Sequence, residues 1–276
     1  MAFSIVTNVA SLNAQRNLAK NQSALQGNMS RLSSGLRINE AGDDAAGLAI
    51  SERLRSQIRS LSQAERNAFD GVSLLQTAEG AMNEISGIAT RLRELAVQSA
   101  SDTVGATERG FLQSEFAAQV AEIDRIAAVT EFNGTNLLDA SAGPLDFQVG
   151  INNTANDRLT VTISDMRAAT LGGDLTALDI STKAGAQAAL GAVDTAIDDV
   201  SSGRAAIGTV QNRLQVTVAN LSTARENLSA ANSRIRDVDV AEETAAMTRH
   251  SILLQAGVSV LAQANQSPSL ALSLLG

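Results

Sequence analysis

Few side chains in this sequence could do chemistry, and their spacing excludes most of it. His250 is the only histidine in 276 residues, and the chain has no cysteine and no tyrosine. A nucleophilic triad or an imidazole metal site needs a second ring, thiol or base that the sequence does not supply. His250, in Thr248-Arg249-His250-Ser251, is therefore read as structural. Gly42-Asp43-Asp44-Ala45-Ala46-Gly47 has glycines at both ends but lacks the strand and lysine of a phosphate cradle, so Asp43 or Asp44 is read as a helix N-cap. The acidic group Asp237, Asp239, Glu242 and Glu243 could hold a hard cation. It stands at a helix entry, however, where carboxylates favour the dipole, and is read as a cap or hinge. Arg91, Arg93 and Glu94 read as a solvated helix face. No catalytic residue, cofactor or metal is expected, and an enzyme is the weakest functional class.

The elements that carry these residues are strongly periodic. Val193, Val200, Ile207, Leu214, Leu221, Leu228 and Ile235 recur by sevens, with a second rung of mostly small residues from Val210 to Val238. A strict repeat of seven demands a partner helix supercoiled against that face. At about 1.5 Å per residue this rod is on the order of 65 Å long. Earlier in the chain, Leu18, Leu25 and Leu32 mark a narrow-striped helix that breaks at Gly35 and Gly42, and a second rod runs from Ala45 to about Ala100. A turn at Ser101 to Gly105 precedes a helix over Thr107 to Thr130, and Asn133-Gly134 is a turn pair. Leu145 to Ile151 and Leu159 to Ile163 alternate as a hairpin with a polar loop between them. Beyond Val238 the sevens restart out of step at Val240, Met247, Leu254 and Leu261, and Pro268 is expected to end the helix before an apolar close from Leu270 to Gly276.

The expected fold is mainly α: a long helical bundle or coiled-coil rod with a small β-hairpin insert and paired amino- and carboxy-terminal helices. The inner rods and the helix from Thr107 to Thr130 would make a self-sufficient bundle. The terminal helices have narrow apolar stripes and weakly charged flanks, so they are expected to order only when copies of the chain pack together. Leu18, Leu25, Leu32, Val240, Met247, Leu254 and Leu261 are the candidate polymerisation residues.

Composition agrees with a thin helical seam: tryptophan is absent, phenylalanine occurs six times, and the two prolines are Pro144 and Pro268. A net charge of −8 argues against a nucleic-acid partner, which needs counterion-releasing basic patches. Met1 to Asn8 lacks a basic region and a continuous apolar region, so no cleavable secretory signal is expected, and no apolar run approaches a membrane span.

Ser30-Arg31-Leu32-Ser33-Ser34-Gly35-Leu36-Arg37-Ile38-Asn39, followed by Asp43-Asp44-Ala45-Ala46-Gly47, resembles the amino-terminal signature of bacterial flagellin. Arg93 to Ala100, Phe132-Asn133-Gly134 and Gln255 to Gln266 resemble the same family. The resemblance implies an inner filament-core domain from residues 1–38 and 237–276, and a spoke at 39–54. It also implies rod helices at 55–138 and 183–236, with a variable insert at 139–182. It further implies a self-assembling motility filament outside the cell, exported unfolded by the flagellar type III apparatus. The implied partners are an export chaperone on the carboxy-terminal helix, the filament cap and the hook-junction proteins. In host-associated members a Toll-like receptor reads the rod, and Arg91, Leu95, Gln98 and Glu115 are the positions that carry over, while Gln119 stands where strongly stimulating members have arginine. From the residues alone these four positions are bundle surface and filament contact. The alternatives are a hook–filament junction protein of the same family and a secreted adhesin or receptor ligand.

Overall fold

The computed structural model describes residues 7–273, with side chains through residue 266, so the expected apolar close from Leu270 to Gly276 lies outside the described side chains. Five helices carry the chain: α1 (Val9–Ser34), α2 (Ala45–Ser99), α3 (Ala106–Val129), α4 (Lys183–Arg236) and α5 (Val240–Ser273). Two antiparallel pairs lie between α3 and α4: β1 (Glu131–Phe132) with β2 (Thr135–Asn136), and β3 (Pro144–Gln148) with β4 (Arg158–Thr162). The mainly α fold with paired terminal helices and a small hairpin is as the periodicity required. Asn133-Gly134 forms the turn of the first pair, both residues having positive φ (50° and 77°), the backbone that a two-residue hairpin needs.

The chain divides into two compact units, one of Met1–Ile58 with Glu226–Gly276, the other of Arg59–Arg225. The second unit holds the main core. Leu75, Met82, Ile85 and Leu92 of α2 and Phe116 and Ile123 of α3 are buried with Val193, Val200, Ile207 and Leu214 of the α4 seven-residue ladder. Between α2 and α4, Arg93 pairs with Asp194 at 2.6 Å and Arg225 with Glu65 at 2.8 Å, so the two helices run antiparallel within this unit. Gly203 lets α4 come close, since a Cβ there would lie 2.6 Å from Met166 Cε.

The insert is more than a hairpin. Leu137, Leu138, Met166, Leu171, Leu175 and Ile180 flank the strands and are all buried in the same core. Asp124 Oδ1 of α3 accepts from Ala168 N at 2.7 Å, and Asp199 Oδ2 of α4 accepts from Gly172 N at 3.1 Å. These anchors lie in segments without helical or alternating periodicity, so the sequence pattern did not reveal them.

Asp139 is wrapped by Asn136 and Ser141, whose side chains and the Ser141 N–H donate to it, and its pKa is lowered to about 2. The next residue, Ala140, has φ 64°, in the left-handed region that a Cβ disfavours. Ala140→Gly is expected to stabilise the fold by about 0.5–1 kcal/mol, because the glycine meets no steric penalty there. An unchanged or lowered urea midpoint would count against that conformation.

Pro268 does not end the helix: α5 continues to Ser273. Proline lacks the N–H that would bond the carbonyl four residues back, which is that of Ala264. Here the Ala264 carbonyl accepts instead from Asn8 Nδ2 at 2.8 Å, which removes much of the cost of the missing helical bond.

Candidate functional site

The first unit is built on α1 and α5, which pack along each other. Asn8 is the N-cap of α1, its side chain accepting from Ser11 N, and Gly35 closes the helix at φ 72°. Asp239 caps α5 by accepting from Ala241 N and Glu242 N, which gives the acidic cluster its helix-entry role. Asp44 likewise accepts from Gly47 N at 2.8 Å at the start of α2. Asp43 has a different task. It accepts from Asn39 N, Glu40 N and Arg31, and these groups, Glu40 first, hold its carboxyl below the usual range.

The two breaks in the periodicity close on each other. Leu36 bridges Asp237, Arg37 N donates to Arg236 O at 2.7 Å and Val238 N donates to Gly35 O at 3.1 Å. The Arg37 guanidinium adds a bond to Ile235 O at 2.7 Å, a cation at the carbonyl end of α4 where the dipole favours it. Arg236 pairs with Glu52 of α2 at 2.5 Å. The end of α1 and the entry to α5 are thus held together by one hydrogen-bonded junction within the first unit.

Contacts along α1 and α5 run in opposite order. Asn8 meets Ala264, Ser11 Oγ lies 2.8 Å from Asn265 Oδ1, and Leu18 Cδ1 lies 3.0 Å from where a Cβ on Gly257 would stand. Asn28, with its amide nitrogen turned toward Glu243, donates to Glu243 Oε1 at 3.3 Å and accepts from Met247 N at 3.0 Å. The pair is antiparallel.

Six of the candidate polymerisation residues, Leu18, Leu25, Leu32, Met247, Leu254 and Leu261, are half-buried, and Val240 is 59% exposed. All of the heptad residues but Val240 are thus partly covered. A different set faces outward: Leu12 and Met29 on α1, and Ile252, Leu253, Val258 and Val260 on α5, between 43% and 60% exposed. Leu253 and Val260 are seven apart and one position off the seam residues Leu254 and Leu261. The period alone could not separate the row used inside the pair from the row left over.

The units also differ in charge. The first carries nine basic and nine acidic side chains, and the second carries twelve basic and twenty acidic, so the whole of the −8 belongs to residues 59–225. Exposed apolar side chains on an electroneutral unit favour contact with other surfaces, since no net repulsion opposes their burial.

On the second unit Arg91 and Glu115 form an ion pair at 2.7 Å between α2 and α3, with Glu94 as a second partner at 2.8 Å; Glu115, then Glu94, hold the guanidinium firmly charged. Gln98 is exposed and lines a shallow groove of about 370 Å³ with Thr90, Arg93, Glu94 and Val97. Leu95 is fully buried and anchors the face on which Arg91 and Gln98 stand. Among the described residues no group of histidine, cysteine or carboxylate side chains could hold a metal ion, and no helix is long and apolar enough to cross a membrane.

Two family descriptions match the chain, the bacterial flagellin N-terminal helical region over residues 5–142 and the bacterial flagellin C-terminal helical region over residues 190–275. The chain belongs to the bacterial flagellin family. It is 49% identical over 268 residues to a flagellin of Halalkalibacterium halodurans, covering 97% of this chain and 98% of that one. It is 48% identical, at the same coverage, to a flagellin of Bacillus subtilis. A flagellar filament 33 kDa core protein of Treponema phagedenis is 45% identical over 97% of this chain and 98% of its own. The crystal structure of Bacillus cereus flagellin superposes with a TM-score of 0.50 at 33% identity, covering 60% of this chain and 94% of that one. This flagellin is a structural subunit of the flagellar filament, outside the cell, and polymerises with copies of itself; it is not an enzyme. The surface that matters chemically is therefore one that meets other protein.

Proposed function

We propose that the α1–α5 pair is the filament core of this flagellin, and that its outward row rather than its heptad seam makes the contacts between copies. The supporting observation is the exposure of Ile252, Leu253, Val258 and Val260 on an electroneutral unit, beside a half-buried Leu254 and Leu261. Residues 1–38 and 237–276 supply the core, 39–54 the spoke, 55–138 and 183–236 the rod, and 139–182 its insert. Leu18, Leu25, Leu32, Met247, Leu254 and Leu261 act in polymerisation chiefly by holding the pair together, and Val240, 59% exposed, acts with the outward row.

Leu253→Asp combined with Val260→Asp is expected to abolish elongation on filament seeds while leaving the circular dichroism of the soluble chain unchanged. Growth of the double variant at the rate of the parent would overturn the assignment of the outward row.

Delivery to the growing end follows the flagellar type III route without a cleavable signal, a chaperone covering the apolar surface of α5 until assembly. The filament cap and the hook-junction proteins meet the same terminal helices. A host Toll-like receptor reads the rod face at Arg91, Gln98 and Glu115, with Leu95 holding that face in place from beneath. The ion pair that fixes Arg91 over Glu115 supports this reading, because it presents both side chains in one ordered geometry.

A further inference from the structure

Pro268 lies inside α5, which runs on to Ser273. Position 268 has no N–H, so the Ala264 carbonyl lacks the donor that an unbroken helix would give it. A proline in a helix interior disfavours the helix by roughly a hundredfold, and a helix left to itself stops just before one. On local rules alone, residues 269–273 should leave the helix.

The first turn of α1 meets this break. Asn8 Nδ2 donates to Ala264 O at 2.8 Å, and Ser11 Oγ donates to Oδ1 of the next residue, Asn265, at 2.8 Å. Asn8 is used at both ends of its amide, because its Oδ1 accepts from Ser11 N at 3.0 Å as the N-cap of α1. That bond fixes which way the amide points and leaves Nδ2 to face α5. Ser11 is only 7% exposed, a position that suits a serine whose hydroxyl is occupied. Two side chains of α1 thus hold the two consecutive residues of α5 at which the proline interrupts the bonding.

We propose that Asn8 is the positioning residue for the end of α5: it supplies from α1 the donor that Pro268 withholds, so that α5 runs past the proline only while α1 is docked on it. One amide then ties the start of α1 to the continuation of α5. A hydrogen bond of this kind favours the continued helix by about two- to tenfold. The coupling is a property of the single chain; its consequence for growth rests on the filament reading above.

Two substitutions separate the cap from the donor. Asn8→Asp keeps an oxygen for Ser11 N, and so keeps the cap, but has no donor for Ala264 O. Asn8→Ser also caps, carries no charge and reaches less far. Pro268→Ala returns the missing N–H and makes the Asn8 donor redundant. The readout is amide hydrogen exchange at residues 269–273 of the soluble full chain. The parent should be protected there, and both Asn8 variants should exchange about two- to tenfold faster, with residues 9–34 still helical by chemical shift. In the Pro268→Ala background the same Asn8 substitutions should change exchange by less than about twofold.

No protection in the parent would overturn the proposal, as would unchanged exchange in either Asn8 variant. An equal loss in the Pro268→Ala background would do so too, since Asn8 would then act only by seating α1. On filament seeds the Asn8 variants should elongate more slowly than the parent, and their combinations with Pro268→Ala at the parent rate. Elongation indifferent to Asn8, with exchange as expected, would count against the filament reading alone.

Discussion

Deleting residues 1–33, or residues 239–276, is expected to leave a soluble, helical chain that no longer grows on filament seeds. Either deletion removes one partner of the α1–α5 pair and exposes the half-buried stripe of the other. Loss of α5 also removes Ile252, Leu253, Val258 and Val260, the exposed side chains that have no cover within the chain. At about 1.5–3 kcal/mol per large apolar side chain fully buried, covering the roughly half of these four that is still exposed corresponds to about 3–6 kcal/mol. That is roughly two to four decades in the concentration needed for growth. The remaining helices keep their own core, since Phe116, Ile123, Leu92, Val193 and Ile207 all lie between residues 59 and 225. Electron micrographs showing filaments from either truncated chain would remove the terminal pair from the centre of assembly.

Phe116→Ala should be among the most damaging single substitutions in the second unit, costing about 3–5 kcal/mol. The side chain is 1% exposed and belongs to the cluster shared by α2, α3 and α4. With no tryptophan or tyrosine, this core is made of aliphatic side chains and a few phenylalanines, so deleting one ring leaves a void that small neighbours cannot fill. Phe111, five residues earlier in the same helix, is 72% exposed, and Phe111→Ala should change stability by no more than about 0.5 kcal/mol. Urea unfolding followed by circular dichroism compares the two. Equal midpoints would mean that α3 is not seated as described.

The long helices were legible because their apolar residues repeat with a fixed period. The α4 ladder from Val193 to Leu221 is buried along its length in this chain, as a supercoiled seam requires. The breaks near Gly35 and Asp237 were visible as interruptions, but their closure on each other was not, since backbone bonds such as Arg37 N to Arg236 O leave no mark on side-chain pattern. The insert was underestimated for a related reason: Leu138, Met166 and Ile180 are single anchors in irregular segments. Pro268 was misjudged because local rules count the lost helical bond and cannot see Asn8, 256 positions away in sequence, supplying a donor to Ala264. The functional surface was half legible. Periodicity identified the apolar rows of the terminal helices, but not that six of their seven residues are half-buried while a separate set, Ile252, Leu253, Val258 and Val260, is left exposed.

The separation of charge from grease gives this flagellin two independent controls. Every copy that joins a polymer brings a net charge of −8 on residues 59–225 and no net charge on the unit that carries the exposed apolar row. Dissolved ions act on the first contribution within a Debye length of about 10 Å at 0.1 M salt. Temperature and excluded solutes act on the second through hydration. A charge substitution within residues 59–225 therefore retunes how the polymer responds to its medium without touching how strongly its helices adhere.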